Sequence, residues 1–198
     1  MPERAEAAQA AETAETAETA EMMAIRQVTQ SELGNAALQT QLCDLLRDAV
    51  EGGASVGYVL PVAEPLLEQY WQGVFADARH DSLILLVAEH AGQIVGSAQL
   101  SLSMKPNGMH RGEVQKVLVH RAARRRGLGS DLMLAIERVA MERSRTLLVL
   151  DTETNSGGQR LYATLGYQTA GVIPNFALAT IPGQASTHVP TTYMYKLL

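Results

Sequence analysis

Residues 113 to 130 constrain this chain more than any other stretch. Glu113 Val114 Gln115 Lys116 Val117 Leu118 Val119 His120 is an extended, largely apolar segment. It runs into Arg121 Ala122 Ala123 Arg124 Arg125 Arg126 Gly127 Leu128 Gly129 Ser130, a turn of four arginines and two glycines, and a helical pattern opens at Asp131 or slightly before. The first amides of a helix have no partner within the helix and sit at the positive end of its dipole, so an anion placed there is stabilised. Gly127 and Gly129 remove side chains that would keep a pyrophosphate from the backbone, and Arg124, Arg125 and Arg126 supply charge-assisted donors. The stretch is a device for holding a polyphosphate. It is not a P-loop, since no Gly-Lys-Ser or Gly-Lys-Thr follows at the required spacing, and Leu132 stands where a dinucleotide fingerprint needs its third glycine. What remains is Arg-x-x-Gly-x-Gly between a strand and an amphipathic helix.

The chain has 198 residues, 46% of them apolar, which suits one domain with a proper core. Its net charge of -5 is concentrated at one end, because residues 1 to 22 hold six acidic groups and one basic, leaving 15 of each beyond. A formally neutral folded part with one arginine turn lacks the broad basic face that nucleic acid requires. No apolar run reaches the roughly 18 residues that suggest a membrane span, and the acidic beginning is opposite to a signal peptide. A soluble, cytoplasmic protein is expected. Ala11 Glu12 Thr13 recurs through Ala17 Glu18 Thr19 with almost nothing to bury, so residues 1–23 are expected to be a disordered low-complexity tail ahead of one domain at 24–198. The single cysteine, Cys43, falls in an apolar helical pattern and is expected to pack as a small hydrophobe.

Periodicity predicts a short strand at 24–29 and a helix through Leu38, Leu42, Leu45, Leu46 and Ala49, ended by Gly52 Gly53. A second helix is predicted over 65–80 with Leu66, Leu67, Tyr70, Val74 and Phe75 inward and Trp71 beside that stripe. Tyr70 and Trp71 are either core or a wall of the cleft. Strands follow at 83–88 and 93–103 around a turn at Gly92, then at 111–120. A helix carrying Leu128, Leu132, Ile136, Val139 and Ala140 reaches roughly Arg143. A continuously buried strand at 146–152 and a short helix at 157–165, capped by Asn155 or Ser156, come next. Extended stretches at 167–173 and 191–197 flank a long loop with Pro174, Pro182 and Pro190.

The arginine turn, with its strand and helix, resembles the acyl-CoA-binding motif of the GCN5-related N-acetyltransferases. Asn155 Ser156 Gly157 Gly158 Gln159 Arg160 Leu161 Tyr162 Ala163 Thr164 Leu165 Gly166 Tyr167 is similar to that family's Asn-x-x-Ala-x-x-Leu-Tyr-x-x-x-Gly-Phe. Gly158 departs from the usual alanine, at a helix cost of about 0.5 to 1 kcal/mol. The resemblance implies a GNAT fold of the α/β (α+β) class, with a mixed, mostly antiparallel sheet of about seven strands and four helices, splayed between the fourth and fifth strands. It implies acetyl-CoA as cosubstrate, held by Val117, Leu118, Val119, Arg124, Arg125, Arg126, Gly127, Leu128, Gly129, Ser130 and Asn155. It also brings in a homodimer as a possible assembly. Within the family, Gly52 to Gly57, Ser97 to Leu102, Lys105 to Gly108, Glu113 to Lys116 and Leu150 to Glu153 resemble the tabtoxin-resistance acetyltransferases, which implies a small amine-bearing acceptor.

Acetyl transfer from a thioester to an amine needs a deprotonated amine, a donor to the carbonyl oxygen, and a proton for the leaving thiolate. Strand alternation predicts Glu113, Gln115, Val117 and Val119 on one face, with Gln115 or freed backbone groups near Val117 and Val119 as donor. Glu113 and Asp151 are the candidates for receiving the ammonium and its proton, and an acidic end on the otherwise apolar Leu147 to Leu150 run is informative. Tyr162 matches the family's general acid. Arg121 is expected to be a solvated flank near the cofactor's nucleotide end. His80, His90 and His188 show no ligand spacing and no Gly-x-Ser-x-Gly elbow exists, so metal and serine-hydrolase chemistry are not expected. Two alternatives stay open: a non-catalytic acyl-CoA-binding or sensing module, and an acetyltransferase of peptide or protein amines.

Overall fold

The computed structural model describes residues 23–180 and 186–198. The expected tail falls, apart from Met23, outside these residues. The elements run β1 (Ala24–Gln27), α1 (Ala36–Glu51), α2 (Glu64–Arg79), β2 (Leu83–His90), β3 (Gln93–Leu102), β4 (Arg111–Val119), α3 (Leu128–Glu142), β5 (Leu147–Glu153), α4 (Gly157–Thr164), β6 (Gln168–Ala179) and β7 (Thr187–Leu197). Single 3-10 turns at Pro106–Gly108 and Arg121–Ala123 flank β4. The seven strands form one sheet in the order β1-β2-β3-β4-β5-β7-β6, antiparallel throughout except for the β4–β5 pair.

Two apolar layers cover the sheet. On one face α1 and α2 pack Leu42, Leu45, Leu46, Leu67, Trp71 and Phe75 against Leu83, Leu85 and Val87. On the other, α3 and α4 pack Leu132, Ile136 and Tyr162 against Leu86, Leu100, Leu148 and Leu150. Each of these fully buried side chains contributes about 1.5–3 kcal/mol from water exclusion, which is what holds the two halves of the sheet to a common frame.

Three expectations change. The inward stripe of α2 is Leu67, Trp71, Val74, Phe75 and Ala78, whereas Leu66 is 51% exposed. Adjacent apolar residues offered two stripes, and the one that buries the larger indole was selected. Trp71 is therefore core, and Tyr70 lies beneath the cleft floor with its hydroxyl donating to Gln99 Oε1 at 2.8 Å. β5 is not buried on both sides: Leu148 and Leu150 are buried while Leu147 and Val149 are half-buried. The long loop is mostly sheet, with β6 and β7 extending far beyond the expected strands. Pro174 and Pro190 both fall where the register shifts from Ile173↔Thr191 to Ala177↔Val189, an irregularity that tolerates residues without an N–H. Pro182 lies outside the described residues.

Candidate active site

The site forms where the sheet opens. β4 pairs with β5 only at Arg111↔Leu147, Gly112↔Leu148 and Glu113↔Val149, and nothing in β4 beyond Glu113 pairs with β5. On its other side β4 carries a bulge: β3 pairs Ser97 with Leu118 but Gln99 with Gln115, so β4 has one extra residue between them. Lys116 takes φ 46° there, and its carbonyl accepts from Ser97 Oγ at 3.3 Å. The bulge overturns the expected alternation. Glu113 and Gln115 share a face, with Gln115 Nε2 donating to Glu113 Oε1 at 3.0 Å, but Val117 and Val119 pack on the opposite face with the α3 layer.

A cleft of about 950 Å³ follows the opening. Glu113, Asp151 and Tyr162 all line it, as do Val117, Leu118, Val119, Arg124, Arg125, Gly127, Leu128, Gly129 and Ser130. Arg126 and Asn155 are not among its lining residues. Asn155 takes φ 64°, its N–H donating to Gln159 Oε1 and its carbonyl accepting from Arg160, while Ser156 caps α4 through Gln159 N at 3.1 Å. Gly158 is explained by packing: a Cβ there would lie 3.0 Å from Thr152 Oγ1, which itself bonds Ser156 Oγ.

At one end of the cleft lies the arginine turn. Gly127 takes φ 84° and precedes α3 without a side-chain cap, in contrast to α1, where Asn35 Oδ1 accepts from Ala37 N and Leu38 N. Among the described residues, the amides from Arg125 to Gly129 have no hydrogen-bond partner, since the first bonds of the turn are Ser130 N and Asp131 N to Gly127 O. Five successive free amides beside Arg124 and Arg125 suit the pyrophosphate of acetyl-CoA in charge, hydrogen bonding and backbone access. Arg124 Nε is tied to Val119 O at 2.9 Å, which anchors the turn to the end of β4. Arg121 is no loose flank: its N and Nε donate to Asp48 at 2.9 and 2.7 Å, and its Nη2 reaches Glu51. This docks the turn on the C-terminal end of α1, from which the glycine-rich 52–57 rim of the cleft departs. Burial penalises the Asp48 carboxylate, but these bonds with Arg121, helped by His120, hold its pKa below the ordinary value.

At the other end Glu113 and Asp151 stand on one face of adjacent strands, because Glu113 pairs with Val149 and Asp151 lies two residues further along β5. Burial, reinforced by the Glu113 charge, raises the Asp151 pKa, and Lys116 opposes that rise. Tyr162 approaches from the α4 side; it is 8% exposed, and burial together with the Asp151 charge pushes its pKa up to about 12. The carboxylates from one face and the tyrosine from the other line one cleft where the β4–β5 pairing ends. Sequence reasoning missed Lys116, Ser97 and Asp48. A lysine inside a strand carries no periodic signal for a bulge, and pairing with Arg121 spans 73 positions. No group of three or more metal-ligating side chains occurs among the described residues, and no helix among them is long and apolar enough to cross a membrane.

Residues 41–167 match the model of the acetyltransferase (GNAT) family. The chain is 36% identical over 112 residues to the uncharacterized N-acetyltransferase of the hisH-hisA intergenic region of Azospirillum brasilense, a match spanning 56% of this chain and 65% of that protein. It therefore covers slightly less than two thirds of that relative's length. Among solved structures it resembles a ribosomal-protein-alanine N-acetyltransferase from Brucella melitensis, with 25% identity, a TM-score of 0.67 and coverage of 88% of this chain and 99% of the other. A phosphinothricin acetyltransferase from Sinorhizobium meliloti in complex with AcCoA superposes with a TM-score of 0.68 at 14% identity, covering 89% and 88%, and shares the fold.

Proposed function

This chain belongs to the acetyltransferase (GNAT) family, and on that basis we propose that it is an acetyl-CoA-dependent N-acetyltransferase acting directly on the amine of a small molecule. The observation that carries the reading is one cleft lined both by the arginine turn, at Arg124, Arg125 and Gly127 to Ser130, and by Glu113, Asp151 and Tyr162. Acetyl-CoA, when bound, supplies the activated acyl thioester. Its pyrophosphate would be held by the amides of Arg125 to Gly129 with Arg124 and Arg125, and its pantetheine arm by the open edge of β4 at Val117 to Val119.

The chain's own groups account for the proton movements. An acceptor enters as an ammonium and is attracted by Glu113 and Asp151. Asp151, whose pKa is raised by burial and by Glu113, takes the proton at its carboxylate directly or through water. Tyr162, its pKa pushed up to about 12, gives its hydroxyl proton to the departing thiolate and is reprotonated by the proton that the acylated nitrogen loses as the amide forms. Gln115, engaged with Glu113, fixes the orientation of that carboxylate.

The acceptor class we favour is an amino-acid-like compound, with toxin or antibiotic resistance by acetylation as the biological outcome and a tabtoxin-type β-lactam as one candidate. Thiol release from acetyl-CoA is the test, over a panel of tabtoxinine-β-lactam, other amino-acid antimetabolites, polyamines and N-terminal peptides. Release confined to small amino compounds is expected. Release with N-terminal peptides alone would move the acceptor to protein amines, and binding of acetyl-CoA without release on any amine would mark a sensing module.

A further inference from the structure

The acceptor side of the cleft holds a cation that the chemistry above leaves unused. Lys116 lines the cleft with Glu113, Asp151 and Glu153. Its Nζ lies 5.1 Å from the centroid of the Tyr70 ring, and a Cβ built on Gly57 would come within 3.9 Å of it. Among the described residues this ammonium makes no hydrogen bond and no ion pair; burial lowers its pKa, with Asp151 opposing. Its position depends on the bulge. In a regular strand residue 116 would face the α3 layer like Val114, whereas the extra residue and φ of 46° bring it to the α2 face above Tyr70. Bulges re-aim side chains next to active sites, and a non-glycine residue held at positive φ is backbone strain of the kind that collects at functional positions.

We propose that Lys116 anchors a subsite for a carboxylate of the acceptor, so that the acceptor is an amino acid or close analogue whose amine and anionic group are a few bonds apart. This deepens the acetyl-transfer reading and rests on it. A half-buried ammonium without a hydrogen-bonding partner is costly, and an entering carboxylate satisfies it with charge-assisted bonds. Three carboxylates and one ammonium around one space complement a compound with an amine and an acid better than a polyamine, which would face Lys116 with like charge. Glu113 pairs with Val149, so Lys116, three residues on in β4, and Asp151, two residues on in β5, stand at nearly the same level of adjacent strands and line one cleft. A compound whose amine and acid are a few bonds apart suits groups so placed. Gly57, at positive φ on the 52–57 rim, leaves only backbone beside the ammonium, where a Cβ would come within 3.9 Å of it.

The experiment compares α- and β-amino acids with their carboxamides as acceptors, in the wild type, Lys116→Met and Lys116→Arg, reading kcat/KM by thiol release. In parallel, the binding of the N-acetyl amino acids and their amides is measured by calorimetry in the presence of CoA. Acids are expected to exceed amides by roughly 10- to 100-fold in the wild type, the range for a hydrogen-bonded charge pair. Lys116→Met should bring the ratio near one and Lys116→Arg should restore much of it. Equal losses for acids and amides would make Lys116 a base or a structural residue and overturn the subsite, as would a wild type that prefers amides or polyamines. If no acceptor is turned over but N-acetyl acids bind in a Lys116-dependent way, the subsite stands and acetyl transfer fails. Absence of both overturns both.

Discussion

Replacing Tyr162 by Phe separates catalysis from folding, because the hydroxyl takes part in no hydrogen bond among the described residues while its ring is packed in the α4 layer, 6.0 Å from the ring of Tyr167. Removing one oxygen leaves no partner stranded and no cavity larger than that atom. The expected change in stability near neutral pH is therefore within about 0.5 kcal/mol. Activity should fall much further, by about 10² to 10⁴, the usual contribution of a positioned acid, or roughly 3 to 5 kcal/mol in the barrier. A second signature lies at high pH. The pKa of Tyr162 rises from 10.0 in the unfolded chain to about 12 in the fold, through burial and the Asp151 charge. The stability tied to the neutral phenol is complete below pH 10 and is lost as pH rises through the folded value, reaching about 3 kcal/mol. The Phe variant should escape this part of the alkaline destabilisation. Urea unfolding at pH 7 and between pH 10 and 12, beside kcat at pH 7 to 9, measures all three quantities. Full turnover in Tyr162→Phe would remove the acid role, and a large loss of stability at pH 7 would mean that the hydroxyl has a structural partner.

The acid limb of kcat/KM should report Asp151: Glu113→Gln removes a charge that raises its pKa and should shift the limb to lower pH, whereas Lys116→Met removes an opposing charge and should shift it to higher pH. A pH–rate series on one acceptor checks both signs, and a shift in the same direction for both would refute the assignment. Gly127→Ala should cost about 1–2 kcal/mol, since φ is 84° and a Cβ would meet nothing closer than Asp131 Oδ2 at 3.9 Å, so backbone strain acts alone. Gly129→Ala, not at positive φ and with only Leu161 Cδ2 at 3.1 Å to displace, should cost less, and urea midpoints at constant slope rank the two.

The shape of the arginine turn, a strand-to-helix turn with Gly127 at positive φ and unpartnered amides, was legible because it is local: glycines at a helix start act within a few residues of one another. So were Glu113, Asp151 and Tyr162 as residues of one cleft, since motif order assigned them to neighbouring elements. The bulge at Lys116 was not legible. Strand period is the only signal in β4, and a single extra residue changes which face each later side chain meets without changing composition. Pro174 and Pro190 read as loop because proline interrupts a ladder, yet opposite one another at a register shift they interrupt nothing. The Arg121–Asp48 contact shows the same limit, for only the fold brings the end of α1 to the turn after β4.

Amide hydrogen exchange with and without acetyl-CoA tests the account most directly. Binding should slow exchange at Arg125 to Gly129, whose amides lack partners, and along the open edge of β4 at Val117 to Val119, with CoA giving the same protection at the turn. Protection elsewhere in the chain, or none at saturating acetyl-CoA, would contradict the assignment of this cleft to the cosubstrate.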